Sequence, residues 1–403
     1  MRRGPYEILS VLGEGGSGQI STHRSSVMCK SFGAFQERIG SPAREVLWKP
    51  LRFDVELVGK RYGVRNRMTL RCAVLLVLVL AMPASGLRAQ SGRVPASPLD
   101  AKTAIFEAFS QHAVVAMGDA HGNQQGDAFR LALVRDPRFA AVVNDILIES
   151  GNSRHQEVLD RYILRGEDVF RDALQRIGLD TTQQHVASLD VPELFGVVRG
   201  INASLPQDRR IRILLGEPAI DWERMRTPDE LKAWNASPAA NRDAFGVDLI
   251  RREVLAKQRR VLALYGAGHF FRKVISESMV TLLEEGKVRP FTVWTNAAAE
   301  MSAFQPDVAK WPVPSLARLR GTVLGAVNLT GYFGPGGQDI PEQWRAPLED
   351  QFDAVLYLGP LSTITLARPQ PWRCSESAMT ERLRRLRLLR PQLADRVEQE
   401  CLR

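Results

Sequence analysis

Seven short runs of aliphatic and β-branched residues, spaced between residues 113 and 358, alternate with longer amphipathic stretches. No other feature constrains the fold as much. The runs are Ala113–Met117, Asp145–Ile148, Ile211–Leu215, Val261–Tyr265, Phe291–Trp294, Thr322–Val327 and Ala354–Leu358. They are apolar almost throughout rather than at every second residue, so each predicts a strand buried on both faces. Helical spacing fills intervals between them, over Gln156–Leu164, Val169–Ile177, Pro192–Ala203, Asp243–Arg259 and Val274–Glu285. The expected fold class is α/β, with a mainly parallel central sheet flanked by helices on both faces. Asn235–Asn241 and Tyr332–Gln338 read as loops on turn chemistry. Glu376–Cys401 reads as two helices broken at Pro391, with arginines on a solvated face over a docked stripe of Leu383, Leu386 and Leu389.

In open parallel sheets, ligands sit beyond the carboxyl ends of the strands. After the first run comes Gly118-Asp119-Ala120-His121-Gly122-Asn123. The second run ends in Glu149-Ser150-Gly151-Asn152, with Arg154 and His155 just beyond. The third ends in Gly216-Glu217-Pro218, and the fourth in Gly266-Ala267-Gly268-His269. Two strands thus exit through Gly-x-x-His. Glycine there lets the backbone turn sharply, and the imidazole is displayed over the sheet edge, where it can ligate a metal or move a proton. Chance alone produces such spacing often enough that it means little by itself. Position after apolar strands, with Glu149 at an equivalent exit, raises it, and the expected site core is His121, Glu149 and His269. His112 precedes the first strand and belongs at the opposite end of the sheet. His185 sits in a polar loop. His155 is a candidate for a supporting role.

The net charge of +9 suggests a nucleic-acid binder until it is located. Residues 1–89 hold 14 Lys/Arg against 6 Asp/Glu, and the remaining 314 residues hold 40 against 39. The basic balance belongs to the leader, so a phosphate-binding surface on the main domain loses its support and no nucleic-acid partner is expected. Within that leader, Cys72–Met82 is an unbroken apolar run of 11 residues, too short to cross a bilayer core of ~30 Å as a helix. Arg65, Arg67 and Arg71 precede it, and small residues follow up to Ala89. This is the pattern of a secretory signal peptide over 68–89, cleaved after Ala89 or Ala84. An exported protein, periplasmic or extracellular, with no stable membrane anchor after cleavage is therefore expected. Residues 1–67 read as an over-called or disordered leader, with Met68 the true initiator, and 90–403 as a single α/β domain. Residues 4–18 resemble the opening of a bacterial serine/threonine kinase, but the strand lysine, His-Arg-Asp loop and Asp-Phe-Gly that kinase chemistry needs are missing downstream. The domain keeps two cysteines, Cys374 and Cys401. In an oxidising compartment they either pair or remain free thiols, and their spacing does not decide between these.

The paired Gly-x-x-His motifs resemble the superfamily that joins erythromycin esterases, ChaN-type haem-uptake proteins and Tiki/TraB proteases. VVAMGDAHGN is similar to the family's opening strand and histidine loop, and ILIESGN to its second strand ending in glutamate. FGVVRGINASLPQDRRIRILLGEPAIDW resembles the helix carrying Arg-x-x-Asn and the strand after it. LALYGAGHFFR resembles the second histidine loop. The likeness spans about residues 105–300 and leaves 301–403 as a C-terminal extension. It implies that His121, Glu149 and His269 form the site core, with Arg199 and Asn202 as supports. One departure matters: Asp119 stands where many esterase-like members carry glutamate. The spacing from that carboxylate to His121 fits the ChaN and Tiki pattern better than the esterase one.

These features favour a hydrolase of ester, amide or peptide bonds, acting on a small-molecule or peptide substrate. His121, His269 and Glu149 would hold a divalent metal (manganese, cobalt or zinc), or Glu149 would accept a proton from a histidine-held water. No Gly-x-Ser-x-Gly elbow supports a serine nucleophile. A haem- or metal-binding uptake protein of ChaN type, with Tyr265 contributing, and a non-catalytic scaffold are the alternatives. Oligomeric state is not written in the sequence.

Overall fold

Alternation of side chains along a strand sends successive residues to opposite faces, so a run that is apolar throughout must be covered twice. That is how the runs are used. In a computed structural model, residues 92–182, 191–297, 299–328, 345–365, 367 and 370–401 are described. The expected signal peptide, kinase-like opening, His185 and the Tyr332–Gln338 loop lie outside them. Eight strands form one mixed, mostly parallel sheet in the order β1-β7-β8-β6-β2-β5-β3-β4. They are β1 (Leu99–Asp100), β2 (Val114–Asp119), β3 (Asp145–Asn152), β4 (Arg212–Glu217), β5 (Val261–Gly266), β6 (Phe291–Asn296), β7 (Ser315–Arg318) and β8 (Ala354–Tyr357). From β8 to β4 every neighbouring pair is parallel, whereas β7 runs antiparallel to both β8 and β1.

Two apolar layers cover the sheet. Val115, Met117, Ile146, Ile148, Ile213, Leu215, Leu262 and Leu264 pack on one face against α1 (Ala101–Ala108), α2 (Gln124–Val134), α3 (Gln156–Ile163), α4 (Arg171–Leu179) and α5 (Val191–Asn202). Val114, Ala116, Leu147, Leu214, Val261 and Ala263 pack on the other against α6 (Arg242–Leu249) and α7 (Met279–Glu285). Each fully buried Val, Leu or Ile contributes about 1.5–3 kcal/mol. β4 stands at the outer margin of the sheet, where α3 meets it through one side chain. Gln156 Nε2 donates to the Ile213 carbonyl at 2.8 Å, and its Oε1 accepts from Leu215 N at 2.9 Å.

Two expected elements differ. Thr322–Val327 is a helical turn over Val323–Ala326, not a strand, because the Thr322 side chain caps it by accepting from Gly325 N. Local capping outweighs the β-branched composition. Asp243–Arg259 does not continue as one α-helix: α6 ends at Leu249 and passes into a π turn, Ile250–Val254. The tail forms α8 (Glu376–Leu389) and α9 (Ala394–Cys401), broken at Pro391 as expected. Its arginines are not all on a solvated face, since Arg382 and Arg385 are fully buried. Cys374 and Cys401 are joined as a disulfide. No helix among the described residues is long and apolar enough to cross a membrane.

Candidate active site

Strands β2, β5, β3 and β4 lie side by side and parallel, so their carboxyl ends share one rim. β2 leaves the sheet through Asp119, and three residues later the chain turns at Gly122, whose φ of +72° suits glycine. This turn lays the His121 ring back over the sheet. β3 loses its register with β4 between Ile148 and Asn152, and Glu149 sits in that irregular stretch. Such breaks re-aim a side chain. Glu149 Oε2 accepts from Gly266 N at 2.6 Å, across on β5. A short 3-10 turn after Gly266 then delivers His269 to the same carboxylate.

The result is a continuous buried network. His121 Nδ1 lies 3.2 Å from Asp119 Oδ2, and its Nε2 lies 3.6 Å from Glu149 Oε2. Glu149 Oε1 takes His269 Nε2 at 3.0 Å and Arg242 Nη2 at 2.5 Å. His269 Nδ1 reaches Asp243 Oδ1 at 2.9 Å. Arg242 Nε pairs with Glu217 Oε2 at 2.8 Å, and Arg130 Nη2 with Asp119 Oδ1 at 2.5 Å. All of these side chains are buried, His121 at 8% exposure and His269 at 2%.

Protonation follows from the pairing. Burial alone would raise Asp119, but Arg130 and then His121 hold it down at about 2. Burial would likewise raise Glu149, yet Arg242, His269 and His121 keep it well below the usual carboxylate range. Burial would lower His269, but Asp243 and Glu149 outweigh it and push its pKa up to about 10. His269 is therefore an imidazolium donating from both nitrogens, a fixed cation rather than a base. An ionised Asp119 accepts only, so it fixes the proton of His121 on Nδ1 and turns Nε2 toward Glu149. A partly open cavity of about 20 Å³ lies against Asp119, His121, Arg130 and Glu149, room for about one water.

A divalent metal does not fit this arrangement. The expected ligands His121, Glu149 and His269 do converge, but both nitrogens of His269 bind carboxylates as donors. The Arg242 guanidinium takes the cation's place between Glu149 and Glu217. Among the described residues, no three His, Cys, Asp or Glu are grouped as metal ligands. Tyr265, expected to contribute in a haem carrier, is engaged within the fold. Tyr265 donates its hydroxyl to the Gly216 carbonyl at 3.2 Å, and burial, reinforced by Glu149, pushes its phenol well above the ordinary range.

The supporting residues are placed unequally. Asp119 is in the network. His155 Nε2 instead binds Asp180 Oδ2 at 2.8 Å, in a neighbouring cluster. α5 starts at the rim with Val191 and descends about 18 Å over its 12 residues. Arg199 and Asn202 therefore lie toward the other end of the sheet. Arg199 pairs with Asp168 and covers the Tyr162 ring, while Asn202 clamps Ile163 and Ile211 by their backbones. His112 binds the Arg289 carbonyl, also below the site. Arg130, Arg242 and Asp243 escaped sequence reasoning. A signal existed for Arg130, a charge flanked by Phe129 and Leu131. For Arg242 and Asp243 it was the Asn241 cap that starts α6.

No family model and no curated protein matches the chain. Solved structures do. A succinoglycan biosynthesis protein aligns with 66% of this chain and 94% of its own at 12% identity and a TM-score of 0.46. A mutant of erythromycin esterase EreC in its open conformation aligns with 66% of this chain and 93% of its own, at 12% identity and 0.41. ChaN of Campylobacter jejuni with cofacial haem covers 48% of this chain and 85% of its own, at 12% identity and 0.31. At these values the likeness is a distant one, of fold alone.

Proposed function

We propose that the chain is an exported hydrolase of ester, amide or peptide bonds that works without a metal. The observation that carries this reading is the His121 ring, flanked by Asp119 and Glu149 on the wall of a water-sized cavity. Nε2 takes a proton from the water that attacks the carbonyl carbon. The two flanking carboxylates stabilise the imidazolium formed, and the proton is then returned to the leaving group. Arg130 holds Asp119 in place, and His269 and Arg242 hold Glu149. The Cys374–Cys401 bond supports an oxidising compartment, in keeping with the proposed signal peptide.

The test is a panel of activated esters and short peptides offered to protein expressed from Met68 and exported by its host. His121→Ala is expected to lower kcat/KM by about 10²–10⁴-fold, with hydrolysis by the wild type unchanged after exhaustive chelation. Activity that disappears on chelation and returns with manganese, cobalt or zinc overturns the metal-free reading. A Soret band in the purified protein, with no hydrolysis, favours haem carriage as in ChaN.

A further inference from the structure

The extension beyond residue 301 has no part in the proposed chemistry, yet its last segment packs on the rim that carries it. Arg385 of α8, fully buried, donates from Nη1 to the Leu179 carbonyl at 2.5 Å and from Nη2 to Asp180 Oδ1 at 2.8 Å. Its guanidinium lies 5.1 Å from the Trp222 ring centre, and Arg384 donates to the carbonyls of Trp222 and Met225. Asp180 is a junction. Its carboxylate also takes His155 and Arg176, and its carbonyl accepts from Trp222 Nε1 and Asn152 Nδ2. Asn152 lies three residues beyond Glu149 on β3. Two residues past Asp180, Thr182 donates from N and Oγ1 to Glu217 Oε1 at 2.9 and 2.5 Å. Glu217 in turn holds Arg242, and Arg242 holds Glu149.

We propose that the C-terminal helix pair is a strut for the active site, that Arg385 is the positioning residue through which it acts, and that the Cys374–Cys401 bond holds the two helices of the strut together. Removing Arg385 takes one charged donor each from Asp180 and the Leu179 carbonyl in a buried setting, and the 179–182 segment relaxes to recover hydrogen bonds. Thr182 then releases Glu217, Arg242 follows, and Glu149 loses its fixed position against His269. The proposal rests on the reading of Glu149 as part of the site, so its test uses signals that do not require hydrolysis.

Two signals are read in the full chain: amide exchange of residues 179–182, and the titration of the ¹⁵N-labelled His269 imidazole. In Arg385→Met, exchange is expected to quicken by about tenfold or more, and the His269 midpoint to move to lower pH. Arg385→Lys should fall between that variant and the wild type. Cys374→Ser/Cys401→Ser should reproduce the shift in the same direction. If Arg385→Met does not fold, the double cysteine variant decides by the same two signals. A folded variant whose 179–182 exchange and His269 midpoint match the wild type overturns the proposal. Where a substrate is found, kcat should fall in these variants with KM held. A wild type without hydrolysis defeats the functional reading alone.

Discussion

His269 contributes to stability only while it is charged. Its folded-state pKa is raised to about 10 from an ordinary 6.5 by Asp243 and Glu149, against the opposing effect of burial. The contribution is therefore complete below about pH 6.5 and drains away as pH rises through about 10. Its size is on the order of a few kcal/mol. Denaturant unfolding of the wild type should weaken between pH 7 and pH 10.5, and His269→Gln should flatten that slope. A variant with the wild-type slope would place the titrating group elsewhere. Asp119 has the opposite sign. Depressed to about 2, it stabilises fully above about pH 3.8, and its contribution is lost as acid carries the protein through about pH 2. At Arg242, lysine is no conservative exchange, because one planar guanidinium serves Glu149 and Glu217 at once. Arg242→Lys is expected to lose at least about tenfold in kcat while remaining folded.

At the scale of strands and helices, the site depends on how closely neighbouring strand ends approach. A Cβ on Gly266 would stand 2.6 Å from His121 Nε2 and 3.4 Å from Glu149 Oε2. Gly266→Ala must push the imidazole away. It should abolish hydrolysis while lowering the melting temperature by only a few degrees, about what 1–2 kcal/mol produces in a large domain. Full activity in that variant would show that the ring has room to spare. The same strand ends explain what could be read in advance. Six of the seven apolar runs overlap strands because burial on both faces writes itself as unbroken Val, Ile, Leu and Ala. The short antiparallel β7 and β1 carry no such run, and Thr322–Val327 was misread because its cap depends on one hydroxyl. His121, Glu149 and His269 were legible because each follows a strand directly. Their counter-charges come from helix starts and helix faces, whose meeting point is set by packing. No local spacing announces it.

For the whole molecule, the tail is closed on itself covalently. Loss of the Cys374–Cys401 bond, which closes a loop with a sequence separation of 27, should cost about 3–4 kcal/mol by loop-closure entropy. Comparing oxidised and reduced protein in urea measures it directly. At the margin of the sheet, Gln156 meets β4 as a strand would, offering one acceptor and one donor to Leu215 and Ile213. An arriving chain that sought to lengthen the sheet would find the middle of that register already spoken for, much as a stopper closes a socket. Edge-to-edge pairing along that border would first have to displace the amide.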